Sequence, residues 1–388
     1  MKKQKETNFS PESFGKHIPS KKFWHNKRRS TINLKPETLS FQRIKRINAQ
    51  TWTFSPRGTI EERMKSSQRV FKTLGKFARL DKNLKGLFLD WTRGQRFRDK
   101  DLLHLAHGLK GLKPLQKLTL EFGYGEEITD KGLCYLMKGL TRLCVLKSFS
   151  LDLDWFDDIS DAGLHCTSRA IKRMVFLKDI RLCLAELPQV TDKGLYKLNR
   201  SLNRRIKLEN VTLMPPKCSK MTDISLASLR FQKLISLRQL YLKFDYWKQL
   251  TEKGIILMTQ GLYKLPNLQT LKLKFWQCAE LRDEGLHYIW EMMNNLPSLQ
   301  RVTLEFVKCW RISDAAFDDM NKTLKCLALV EKLRIKFYDC LEITDHGLFD
   351  LCKALEKGVS LQNICVSFRC EGSSRLHEKA YSSEKDWR

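Results

Sequence analysis

Aspartate returns along this chain at a fixed interval. Asp99, Asp130, Asp161, Asp192 and Asp223 are 31 residues apart, and after one step of 29 the series resumes as Glu252, Asp283, Asp314 and Asp345. A column of carboxylates is material for a calcium array or for acid–base chemistry, and the twelve cysteines are material for zinc or for redox cycling. Spacing argues against each. Cys218, Cys278, Cys309 and Cys340 fall five residues after a central strand leucine or isoleucine. They therefore lie one repeat apart along an axis and do not converge on a tetrahedral centre, and no C-x-x-C pair occurs. Buried thiols in such a column pack as small hydrophobes. His104 and His107 share a helix face with no third ligand beside them in sequence. No phosphate-binding G-x-x-x-x-G-K-[ST], zinc-binding H-E-x-x-H or nucleophilic G-x-S-x-G motif is present. The expectation is a chain that is not an enzyme, with no catalytic residue, cofactor or metal.

The elements that would position these residues follow from the phrase around each carboxylate. Ile128-Thr-Asp-Lys-Gly-Leu133, Ile159-Ser-Asp-Ala-Gly-Leu164, Val190-Thr-Asp-Lys-Gly-Leu195 and Ile343-Thr-Asp-His-Gly-Leu348 are near copies. Thr or Ser ahead of the Asp predicts a helix N-cap, and the Asp places negative charge at the positive end of the helix dipole. Upstream, Leu271, Leu273 and Phe275 alternate with Lys272 and Lys274, the pattern of a strand with one buried face. Downstream, Leu286, Ile289, Met293 and Leu296 recur at helical spacing. Ten such strands are predicted, centred on Leu89, Leu120, Leu151, Leu182, Leu213, Leu242, Leu273, Leu304, Ile335 and Val366. A period near 31 residues with one strand and one helix predicts an α/β solenoid, whose units bury their apolar faces against neighbours. The 29-residue step loses two residues between Thr222 and Leu240, on the helical side, just after Pro215-Pro216 at a strand end. Hinge, docking notch and tolerated defect are all compatible with it.

The phrase LxLxFxxCxxITDxGLxxLxxxLxxLxxL resembles the cysteine-containing, ribonuclease-inhibitor-like class of leucine-rich repeat, whose repeats also occur in F-box substrate receptors of ubiquitin ligases. The resemblance implies a curved solenoid of about nine to ten units with the strands on its concave face. Here the strand carries two residues more than is usual before the cysteine, and residues 1–83 show no F-box.

On such a concave face the residues alternating with the buried leucines point outward. Early repeats place Asp90, Glu121, Asp152 and, just past a strand, Asp154 there. Late repeats place Lys243, Lys272, Lys274, Arg301, Lys332, Arg334 and Lys336, with Tyr241, Trp276 and Tyr338 among them and Glu305 as the dissenter. The expected face is acidic first and basic later. Its basic half is the expected binding surface, with the aromatics and arginines as anchors.

Net charge is +28, and residues 1–60 hold 14 Lys/Arg against 3 Asp/Glu. Such a field favours acidic partners. Residues 1–57 read as a basic arm, disordered alone, in which Lys21, Lys22, Trp24, Lys27, Arg28 and Arg29 would meet a partner. Residues 58–83 read as an N-terminal capping helix opened by the capping box Thr59-Ile-Glu-Glu62, 84–370 as the solenoid and 371–388 as a tail. No apolar run is long enough to span a bilayer, and the start lacks an apolar leader core. An intracellular, cytoplasmic place is expected, with cytoskeletal and nuclear ones as alternatives, and reduced thiols go with it. The function expected is a non-catalytic scaffold that binds an acidic protein surface or assembly, cytoskeletal or ribonucleoprotein. A substrate-recognition subunit of a ubiquitin ligase and an RNA-binding component of a ribonucleoprotein are the alternatives.

Overall fold

A computed structural model describes residues 44–48, 50–55, 84–92, 97–123, 127–153, 155–217, 220–263, 265–318, 329–356, 363–369 and 377–382. The chain divides into two units, residues 1–35 and 36–388, and every described residue belongs to the second. The strands are β1 (Ile44–Asn48), β2 (Thr51–Phe54), β3 (Gly86–Trp91), β4 (Lys117–Phe122), β5 (Ser148–Leu153), β6 (Asp179–Cys183), β7 (Asn210–Met214), β8 (Gln239–Asp245), β9 (Thr270–Trp276), β10 (Arg301–Val307), β11 (Lys332–Tyr338), β12 (Asn363–Arg369) and β13 (His377–Ser382). All ten strands expected from the spacing stand where it puts them, as β3 to β12. The helices between them are α1 (Asp99–Leu109), α2 (Asp130–Leu140), α3 (Asp161–Ile171), α4 (Asp192–Leu202), α5 (Asp223–Ala227), α6 (Glu252–Leu262), α7 (Asp283–Asn294) and α8 (Asp345–Glu356).

The strands form one sheet in strict sequence order, parallel from β2 to β12. Parallel neighbours need a crossover, and from β3 onward a helical segment supplies most of them. The architecture is therefore an α/β repeat solenoid. At each end an antiparallel strand closes the sheet, β1 on β2 and β13 on β12. These end strands lie inside the segments expected to be the basic arm and the tail, so the sheet reaches further than the repeat signal. The reason is visible in Phe54, which is buried, and Trp52, which packs against the core: the hairpin covers the open edge of β3. The capping helix expected over 58–83 lies outside the described residues.

The core runs the length of the stack in register columns. Leu89, Leu120, Leu151, Leu182, Leu213, Leu242, Leu273 and Leu304 are buried on successive strands. Two residues later Phe244, Phe275, Phe306, Phe337 and Phe368 stack with ring centroids 5.2–5.3 Å apart. Cys278, Cys309 and Cys340 are buried beside them, and each thiol donates to the carbonyl of a phenylalanine one strand back, Phe244, Phe275 and Phe306, at 3.7–3.8 Å. Cys218 lies outside the described residues. One cysteine expectation is corrected: Cys134 of α2 and Cys166 of α3 are joined by a disulfide. The two helices pack side by side, and positions 32 residues apart face each other across that seam.

Capping explains only part of the aspartate column. Thr129, Ser160, Thr191, Thr222, Thr251 and Ser313 do accept from the amide two residues on, as N-caps. The carboxylates reach into the following repeat. Asp99 accepts from the amide and hydroxyl of Thr129 at 2.9 and 2.8 Å, and Asp130 does the same with Ser160. The pattern recurs at Asp161–Thr191, Asp192–Thr222, Asp223–Thr251, Asp283–Ser313 and Asp314–Thr344. It also accounts for the glycine in the phrase: a Cβ on Gly163 would lie 2.6 Å from the Asp130 Oδ1. One step departs. Glu252 replaces Asp, Arg282 replaces Thr or Ser, and Arg282 makes no side-chain cap.

The 29-residue step falls at the shortest of the described α-helices. The five-residue α5 is followed by a single 3-10 turn, Phe231–Lys233. Pro215 and Pro216 are buried just after β7, and the Pro216 carbonyl accepts from the Trp247 indole at 2.8 Å.

A cationic face of the sheet

Among the described residues the helical crossovers pack on one face of the sheet, and parallel register sets the side chains of the other face in rows. One row reads Asp90, Glu121, Asp152, Cys183 and Met214 from β3 to β7, and Lys243, Lys274, Glu305, Lys336 and Ser367 from β8 to β12. The next reads Arg181, Thr212, Tyr241, Lys272, Thr303, Arg334 and Cys365. A third carries Gln239, Thr270, Arg301 and Lys332. The expected change from acidic to basic thus appears as a sequence of residues within a single row.

The acidic start is largely engaged within the chain. Asp90 accepts from the Ser55 and Thr92 hydroxyls at 3.1 and 2.7 Å, and Asp152 lies 3.7 Å from the Arg181 guanidinium. Asp154 lies outside the described residues, as do the arm residues Lys21, Lys22, Trp24, Lys27, Arg28 and Arg29.

The basic half is less uniform than its sequence. Lys274 is ion-paired with Glu305 at 2.9 Å. Lys243 is ion-paired with Asp245, which is 3% exposed, and lies 5.8 Å from the Trp276 ring centre. Asp245 is a second acid on this face, in the row of Trp276 and Tyr338. It ends β8 beside Trp276, and the left-handed Tyr246 follows it. Lys336 lies 5.5 Å from the Tyr338 ring centre, and Tyr246 packs against Trp276 at 5.5 Å. Trp276 and Tyr338 are half-buried, each with a lysine over its ring.

Lys272, Arg301, Lys332 and Arg334 stand beside these pairs, and the last three are exposed. Arg301 donates through Nε to the Thr270 hydroxyl at 3.2 Å. Burial, and then Arg334 and Arg301, hold the Lys272 ammonium pKa below the ordinary lysine value. Those charges lie close enough to repel. Tyr241 is half-buried on the same face. Burial pushes its hydroxyl up to about 12, helped by Glu305 and Asp245.

A second surface feature was not legible in the repeat signal. Val145, Val175, Phe176, Ile206 and Ile235 are exposed on four successive helix-to-strand turns. Among the described residues no helix is long and apolar enough to cross a membrane. No family model matches this chain, and no curated protein matches it.

Proposed function

We propose that this chain is a leucine-rich-repeat protein of the cysteine-containing class, acting as a non-catalytic scaffold. It binds an acidic protein surface or assembly, cytoskeletal or ribonucleoprotein, through the face of β8–β11 and through its basic arm. One observation carries the reading. Glu305 and Asp245 are each engaged by a lysine, Lys274 and Lys243. Lys272, Arg301, Lys332, Arg334 and Lys336 then stand on three adjacent strands of one sheet face. Charge so placed steers an acidic partner and fixes its register, while the half-buried Tyr241, Trp276 and Tyr338 supply contact area.

The test is a pull-down from cell extract with the full chain and with a Lys272→Glu, Lys274→Glu, Arg334→Glu, Lys336→Glu variant, its fold checked by circular dichroism. Loss of one defined protein with the variant supports the reading. Recovery of the same proteins by both chains would show that this face is only solvated.

A further inference from the structure

The inference here rests on that reading and narrows it to one chemical group. Register sets Lys272, Thr303 and Arg334 side by side on β9, β10 and β11. Arg301 precedes Thr303 by two residues on the same strand, hence on the same face. Strands in a sheet stand about 4.8 Å apart, so the backbones of Lys272 and Arg334 flank Thr303 at a span that two long side chains close over. Half-buried Thr303 thus stands between Lys272 and Arg334 in its row, with Arg301 two residues before it on its own strand. Glu305, the next residue on that face of β10, ion-pairs with Lys274.

Gathering like charges over one hydroxyl opposes the compact state. An anion bound there removes that cost. A carboxylate brings one charge and two oxygens. A phosphate monoester carries about −1.5 to −2 at neutral pH and offers three acceptor oxygens, which suits two guanidinium groups, an ammonium and a hydroxyl. We propose that Lys272, Arg301, Thr303 and Arg334 form a receptor for the phosphate monoester of a phosphoserine or phosphothreonine in an acidic polypeptide segment. The segment runs across the strands, with its carboxylates on Lys332 and Lys336.

A polynucleotide is the less suited ligand. Single strands bind along a continuous cationic groove with open aromatic platforms. Here Lys243 and Lys336 lie over the Trp276 and Tyr338 rings. Tyr246 packs against Trp276, and Asp245 and Glu305 interrupt the cations.

The experiment is fluorescence anisotropy on the full chain at near-physiological salt with three labelled probes. Two are short synthetic peptides rich in Glu, Gly and Ser that differ at one central residue, phosphoserine or glutamate; the third is a single-stranded RNA of similar length. The phosphopeptide is expected to bind about tenfold tighter than its glutamate twin, the worth of one charge-assisted hydrogen bond. Lys272→Gln combined with Arg334→Gln should abolish that preference. Thr303→Val should weaken it, and Lys332→Gln should lower both affinities alike. Equal binding of the two peptides by the wild-type chain would overturn the phosphate proposal while leaving acidic docking intact. So would a preference that survives the double substitution, or RNA binding as tight as the phosphopeptide's. If neither peptide binds, the proposal falls together with acidic docking on this face.

Discussion

Asp161 and Thr191, thirty residues apart, share two hydrogen bonds: the carboxylate accepts the threonine amide at 2.8 Å and its hydroxyl at 2.6 Å. The contact ties the start of α3 to the start of α4, so the carboxylate acts between repeats. Asp161→Ala should lower stability by about 2–3 kcal/mol, the scale of two bonds of which one reaches a buried amide. Glu252→Ala, at the step without this pairing, should cost under about 0.5 kcal/mol. Urea unfolding of the two variants checks the contrast, and equal losses would reduce the carboxylates to helix-dipole partners.

Gly163 donates to the Asp130 Oδ1 at 2.8 Å, and a Cβ on it would lie 2.6 Å from the same atom. Alanine raises helix propensity by up to about 1 kcal/mol, yet overpacking here should leave Gly163→Ala destabilised by roughly 1–3 kcal/mol. Combined with Asp130→Ala, the glycine substitution should cost much less than it does alone. A double-mutant cycle that sums without coupling would show that the two residues act separately.

The Tyr241 hydroxyl is raised from 10.0 to about 12 by burial, with Glu305 and Asp245 adding to it. A raised folded value means that the native state holds the proton while the unfolded chain loses it. The contribution to stability is therefore complete below pH 10 and is lost as pH rises toward 12. Tyr241→Phe should show a shallower fall in melting temperature across that window than the wild-type chain. Absorbance titration of tyrosinate should lose one late-titrating group in the variant.

Cys134 and Cys166 close a loop of 32 residues between neighbouring helices. Chain-entropy arguments put such a link at about 3–4 kcal/mol. Reduction should lower stability by that order, and Cys134→Ser should match the reduced protein and no longer respond to reductant. A peptide map without reductant should recover the two cysteines in one linked fragment.

Sequence periodicity carried the fold well because each strand leucine and each helix cap repeats at one interval, and a repeat is tested many times over in one chain. Relationships that break the interval were harder to read. The disulfide joins residues 32 apart, one off the period, and composition argued for free thiols. Asp245 stands two residues after Lys243 on the same face of β8 and level with Trp276, so alternation does place it there, and counting the face only as far as Lys243 leaves that acid out. The aspartates were read as dipole charges because a linear pattern does not say that a carboxylate faces the next repeat. Terminal strands β1 and β13 follow no repeat signal, since the ends of a stack are capped by whatever covers the last edge. For the cationic face, residue types and alternation placed Lys272, Arg301, Lys332 and Arg334 on one side, and the sheet register supplied their adjacency.

The step from Glu252 to Arg282 gives the stack a preferred place to yield under load. Pulled from its two ends, a chain whose repeats are stapled carboxylate to hydroxyl would hold each side as a block and part first between α6 and α7. A force–extension trace would then show an early event that leaves two shorter arrays still wound, and restoring the staple with Glu252→Asp and Arg282→Thr would merge that event into the rest.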